Sequence, residues 1–284
     1  MKRFIALCAL TVAPFALKAD MQGKSGMGSD DMFVSATSAA NETWSDRTGV
    51  SAAFTNSKRP LWDVFTIQPI YRTEGTMMNT VFVQGDFGFQ KWDSPQLSLG
   101  LGYRRLAASN DYMYGANLFY DHEWDHSHNN VGTGLEWFGR FFTIRMNYNF
   151  RVHDHKGHMK EITHYFGSHH TTGNLDLDFQ LPYLPWTLAS FGPTWHHDRE
   201  HKGEQSHHWK YALRMNLAGP VALEAGFGRG WGQGGYVKLA VNFGRAAFAE
   251  HTLSDAGIIA SEAFTARDLK NYTLETVGRF GWIR

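Results

Sequence analysis

The chain has 284 residues, with 27 basic and 27 acidic side chains and no formal net charge; this excludes the basic excess that a nucleic-acid binder needs to meet phosphates. Hydrophobic residues make up 43%, and no apolar run is long enough for a helical span, which takes about 20 residues. Aromatic content of 15%, with 29 glycines, 15 histidines and only 8 prolines, suits strands and tight turns. It leaves open a barrel whose alternating faces hide a membrane character from average hydropathy.

In chain order, Lys2 and Arg3 precede an apolar stretch from Phe4 to Leu17, and Leu17-Lys18-Ala19 precedes Asp20. This pattern predicts a secretory signal peptide over residues 1–19, cleaved after Ala19. Cys8, the only cysteine, lies within it; a mature chain without cysteine has no disulfides, thiol catalysis or Cys-zinc sites. Removing Lys2, Arg3 and Lys18 leaves 24 basic against 27 acidic residues. Residues 20–48, rich in Gly, Ser, Asp, Asn and Thr, read as a flexible periplasmic leader.

From 49 to 244 the apolar residues alternate. Phe142, Ile144, Met146, Tyr148 and Phe150 interleave with Thr143, Arg145, Asn147, Asn149 and Arg151, giving one wholly apolar and one wholly polar face. Reading every such segment predicts twelve strands: 49–57, 61–72, 79–90, 95–105, 111–121, 129–138, 141–150, 172–181, 186–197, 207–217, 220–229 and 234–244. The ninth, with Pro193, has an ambiguous phase. The polar face carries Gln84, Asp86, Arg104, Asp121, Glu136, Arg145, Asp176, Asp178, Arg214, Glu224 and Lys238, while most Tyr, Trp and Phe fall on the other. A soluble sandwich has no use for so many outward aromatics, whereas membrane-interface girdles do. The expectation is an all-β, 12-stranded antiparallel transmembrane barrel of a Gram-negative outer membrane. An even strand count puts both barrel ends in the periplasm, and the two longest connections, 151–171 and 198–206, then both face outside.

Two short stretches carry a family likeness. Leu99-Gly100-Leu101-Gly102-Tyr103-Arg104 and Gly115-Ala116-Asn117-Leu118-Phe119-Tyr120-Asp121-His122-Glu123 resemble the intimin/invasin translocator, the inverse autotransporter barrel. A third element, His128-Asn129-Asn130-Val131-Gly132-Thr133-Gly134-Leu135-Glu136, fits the same family with Asn130 where arginine is usual. The resemblance spans about 49–244 and itself implies twelve strands. It further implies a linker passing out through the pore to a surface passenger of Ig-like and lectin-like domains. The 40 residues of 245–284 are fewer than an Ig-like domain's roughly 100. Arg267-Asp268-Leu269 and Tyr272-Thr273-Leu274-Glu275 resemble a compressed version of the family's linker. The expectation for 245–284 is a C-terminal tail or linker that threads the pore, with a short helix over 254–270 whose end charges complement the dipole; the alternative is a disordered periplasmic tail.

Six inward cations (Arg104, Arg145, Arg151, Lys210, Arg214, Lys238) face six anions (Asp86, Asp121, Glu136, Asp176, Asp178, Glu224). The balance predicts ion pairs across the lumen rather than a one-sign ring that selects a solute. Inward Gly132, Gly134, Gly226 and Gly228 would let a linker approach the wall. The pattern of Gly235, Tyr236, Leu239, Val241 and Phe243 looks like the signal by which barrel-insertion machinery reads a final strand, after periplasmic chaperones have escorted the chain. Fourteen of the fifteen histidines fall in or beside the outer connections. His153, His155, His169 and His170 are the metal candidates among them, although no fixed ligand set follows from their spacing. No cofactor signature and no catalytic motif is present, so no enzyme activity is expected. The function read from the sequence is a translocator-type barrel anchored in outer-membrane lipid that passes its own C-terminal segment to the surface. The alternative is a passive channel, or an adhesin-like barrel whose outer loops touch host or surface ligands.

Overall fold

A computed structural model of the chain describes residues 44–55, 61–73, 75, 77–89, 95–124, 128–153, 171–197, 205–228, 234–243 and 251–278. The expected signal peptide and most of the leader fall outside these. Residues Trp44–Arg47 form a 3-10 turn, and twelve antiparallel strands follow. They are β1 Thr48–Thr55, β2 Leu61–Arg72, β3 Met78–Phe89, β4 Pro95–Leu106, β5 Tyr112–Glu123, β6 His128–Gly139, β7 Phe142–His153, β8 Thr171–Leu181, β9 Leu184–His197, β10 Gln205–Ala218, β11 Val221–Gly228 and β12 Gly234–Asn242. Each pairs with its sequence neighbours, and β1 pairs with β12 to close the barrel. Closure leaves no unpaired strand edge, which a bilayer core does not tolerate.

Alternation decides which way each side chain points. In β7, Phe142, Ile144, Met146, Tyr148 and Phe150 are exposed on the outer face, while Thr143, Arg145 and Asn147 are buried inside. Similarly, β5 exposes Tyr112, Tyr114, Leu118 and Tyr120 and buries Met113, Asn117 and Phe119. The outer wall is therefore an apolar, aromatic-rich band, and the interior holds the charges. In β9 the phase resolves with Ser190 and Thr194 buried inside. Pro69 sits at a register shift of β2 against β3, where a residue without an N–H costs the ladder least.

Strand bounds lie within three residues of the sequence reading, and β2 matches it at both ends. The last strand stops at Asn242 rather than 244, although the Phe243 amide still donates to the Thr48 carbonyl. The larger correction is the tail. In place of one helix over 254–270 there is a single turn, α1 (Leu253–Ala256), and a 3-10 turn, η1′ (Leu269–Tyr272). Thr252 caps α1, and Gly257 ends it at φ 70°. Beyond it the tail backbone bonds to the barrel: the Tyr183 amide to Ala263 O at 2.7 Å, the Ala260 amide to Tyr183 O at 2.9 Å and the Arg267 amide to Arg140 O at 3.0 Å. Those tertiary bonds use groups that a continuous helix would have needed internally.

Candidate functional site

Three glycines decide what the lumen wall can hold. Register places Arg104 on β4 opposite Gly115 on β5, which lies opposite Glu136 on β6. A Cβ at 115 would sit 2.9 Å from Arg104 Cγ and 3.2 Å from a Glu136 carboxylate oxygen. With no side chain there, Arg104 and Glu136 meet over the intervening strand through two bonds, Nε to Oε2 at 3.0 Å and Nη2 to Oε1 at 3.1 Å. Gly102 lies under the Phe82 ring, and Gly100 lies under the Phe119 ring. These are the positions of the Gly-Leu-Gly-Tyr-Arg and Gly-Ala-Asn stretches singled out in the sequence.

The pair continues into a ladder of alternating sign. The Arg145 guanidinium lies 3.7 Å from Glu136 and pairs with Asp178. Arg214 lies 3.9 Å from Asp178 and donates to Glu224 at 2.6 Å. The Tyr236 hydroxyl donates to the same Glu224. Lys210 approaches Asp176 at 3.7 Å, and Lys238 is buried directly across the β11–β12 pairing from Glu224. Asp86 accepts from Gln84 at 3.0 Å, and Asp121 lies half-buried near the far end of β5. Cation and anion alternate around the wall, so charges cancel locally; in a low-dielectric interior that is the arrangement buried charges require.

The tail closes the end at which β1 begins and β12 stops. Arg267 donates to the Gly139 and Phe142 carbonyls at 2.6 and 2.9 Å and to Thr143 at 3.0 Å, gripping the β6–β7 turn. Asp268 accepts from Asn110 at 2.8 Å, and Arg72 donates to Thr273 at 2.8 Å. Leu269 and Tyr272 pack with Leu106, Met113 and Phe138 in one buried apolar cluster. The chain then runs into the lumen. There Arg104 Nη1 donates to the carbonyls of Tyr272, Thr273 and Glu275 at 3.4, 3.1 and 2.5 Å. Glu275 accepts from Arg145 at 2.7 Å, the Val277 amide donates to Gln84 at 2.9 Å, and Asn147 donates to the Gly278 carbonyl at 3.1 Å. Val277 is buried against Ile67, Phe82 and Phe119.

The structure thus brings Arg104, Glu136, Arg145, Asp178, Arg214 and Glu224 into one network and sets Gly100, Gly102, Gly115, Asn117, Phe119, Gly132 and Gly134 along its floor. Tyr103 points outward, its hydroxyl donating to Asn79 at 2.8 Å, and His122 bonds Asn129 at 2.8 Å near the far rim. On β12, Tyr236 is buried inward while Leu239 is exposed, as is Phe243 just past the strand's end. His153 belongs to β7, whereas His155, His169 and His170 lie outside the described residues; among the described residues no cluster of three or more His, Cys, Asp or Glu could hold a metal. The tail's own contributors, Arg267, Glu275 and Val277, were not among the sequence candidates. The available signal was the linker-like Arg-Asp-Leu and Tyr-Thr-Leu-Glu stretches.

A closed antiparallel barrel with an apolar, aromatic outer face and a charged interior defines a β-barrel of the bacterial outer membrane, surrounded by lipid. The family model of the inverse autotransporter β-domain matches residues 32–195, more than half of the chain. The chain belongs to that family, and is a translocator-type barrel rather than a member of a known enzyme family. It is 30% identical over 82 residues to the attaching and effacing protein homolog of Escherichia coli K12. That match spans 29% of this chain and 27% of the relative's length. Among solved structures, one from a study of in-meso crystallization of membrane proteins superposes with a TM-score of 0.59 at 16% identity. It covers 83% of this chain and 96% of that one, and shows the shared fold. The outer membrane phospholipase A of Escherichia coli covers 69% of this chain and 87% of its own at a TM-score of only 0.38 and 12% identity.

Proposed function

We infer that the barrel anchors in the outer membrane with both of its ends on the periplasmic side and passes its own C-terminal segment outward through the lumen, where residues 269–278 stay seated. The observation that carries this reading is the seating itself. Three tail carbonyls rest on Arg104, the Glu275 carboxylate on Arg145, and Val277 on an apolar platform. The orientation is supported by connection lengths: the turns at the end holding both barrel termini include the short 140–141, 182–183 and 219–220, whereas 154–170 belongs to the other end, and bacterial barrels keep short turns in the periplasm. The leader would then span residues 20–47, since Thr48 opens β1, with 1–19 a cleaved signal. The closing strand around Tyr236, Leu239 and Val241 presents the edge that insertion machinery would pair with, and the far loops face any surface ligand.

Single-channel recording in planar bilayers tests the seating. Deleting residues 245–284 should open a conductance that the full chain lacks. An equally open pore in both would favour a passive channel and overturn the seated tail.

A further inference from the structure

The wall reads the tail in two chemically different ways. Arg104 is fixed on every side: Glu136 takes Nε and Nη2, and the guanidinium lies between the Phe82 and Phe138 rings at 4.7 and 5.0 Å. Among the described residues, its remaining nitrogen, Nη1, meets backbone carbonyls of the tail, those of Tyr272, Thr273 and Glu275. A carbonyl is the same group in every residue, so this contact carries no sequence information. Gln84 and Asn147 also address backbone, at the Val277 amide and the Gly278 carbonyl. Arg145 differs, because it meets a side chain, the Glu275 carboxylate. A charge-assisted bond in a buried site depends on one residue being in one place.

We propose that Arg104, held in plane by Glu136, is a sequence-independent guide for polypeptide backbone in the lumen, gripping the turn at Tyr272–Glu275 through its carbonyls, and that the Glu275–Arg145 pair is the stop that sets the register at which the chain halts. The ligand of the guide is a set of backbone carbonyls of any composition; the ligand of the stop is a single carboxylate. As the chain advances, each new carbonyl can replace the last on the same nitrogen, so the guide offers a similar contact at every step. The stop offers its contact only when a carboxylate arrives beside Arg145. This rests on the tail reaching its seat through the lumen.

Two measurements on the full chain in cells separate the parts, with folding of each variant checked by heat-modifiable migration on gels. The first is disulfide formation between cysteines replacing Phe119 and Val277, compared with Phe119 and Thr273; Cys8 is the chain's only native cysteine. The 119–277 pair should form and the 119–273 pair should not. Glu275→Arg, which sets two cations together, should lower the 119–277 yield about tenfold, and Glu275→Gln should lower it less. An unchanged yield in both single variants overturns the stop. The second is the rate at which an epitope fused after Arg284 reaches the surface. Arg104→Met with Glu136→Leu should slow it several-fold for epitopes of unrelated sequence. A rate unaffected by the Arg104–Glu136 replacement overturns the guide. If the unaltered chain gives neither cross-link nor surface epitope, the seating reading itself fails, and with it both roles.

Discussion

Removing one member of the Arg104–Glu136 pair should cost far more than removing both. Both side chains are fully buried, at 0% exposure. Breaking a buried pair by deleting one partner typically costs about 3–5 kcal/mol, because the other charge stays desolvated, whereas replacing both with apolar groups of similar size is often neutral. Arg104→Met leaves Glu136 with Arg145 at 3.7 Å, so the cost should fall near about 3 kcal/mol. The tail carbonyls that lose their donor can rehydrate by leaving the lumen, and the barrel need not bear that penalty. Glu136→Leu leaves a guanidinium facing only carbonyls and rings, which belongs near about 5 kcal/mol. The double replacement should lie within about 1 kcal/mol of the parent chain. Urea unfolding in lipid vesicles, followed by tryptophan fluorescence, gives the three values. Single variants no less stable than the double would refute the pairing and its role as a fixed donor.

Gly115→Val should destabilise the barrel by about 1–3 kcal/mol through overpacking: a Cβ there lies 3.0 Å from the Tyr103 carbonyl, a backbone atom that cannot swing aside, and the same urea titration reads it. Leu118→Arg, on the exposed outer face of β5, should cost about 2–4 kcal/mol if that position lies near the bilayer midplane, seen as a lower urea midpoint in vesicles. Arg267→Ala removes the donors to Gly139, Phe142 and Thr143; amides of 260–267 should exchange faster with deuterium while those of β4 to β6 keep their protection.

The strands were legible because a residue's face follows from parity alone: Phe142 to Phe150 on one side and Thr143 to Asn147 on the other need no tertiary information. The charges of the lumen followed from the same parity. Which charge meets which did not, since Arg104 and Glu136 are two strands apart and meet only because Gly115 is bare, a fact of register rather than of local pattern. Large aromatics also broke the outward rule: Phe82, Phe119 and Phe138 are buried inside, where glycines and the tail receive them. The charge pattern of 254–270 suits a helix locally, yet only the short turns Leu253–Ala256 and Leu269–Tyr272 form. The tail's backbone groups instead bond Tyr183, Arg140 and Arg104, and partners so distant in sequence leave no periodicity to read. Arg267 and Glu275 were visible as linker-like residues, but their roles emerge only against the turn and the wall they grip.

If the tail passes through the lumen with its end directed to the cell surface, protease and antibodies added to intact cells should reach a tag placed after Arg284. Access on intact cells, delayed several-fold when Arg104→Met and Glu136→Leu are combined in a barrel that still folds, is the predicted result. A tag reached only after the outer membrane is opened would contradict it.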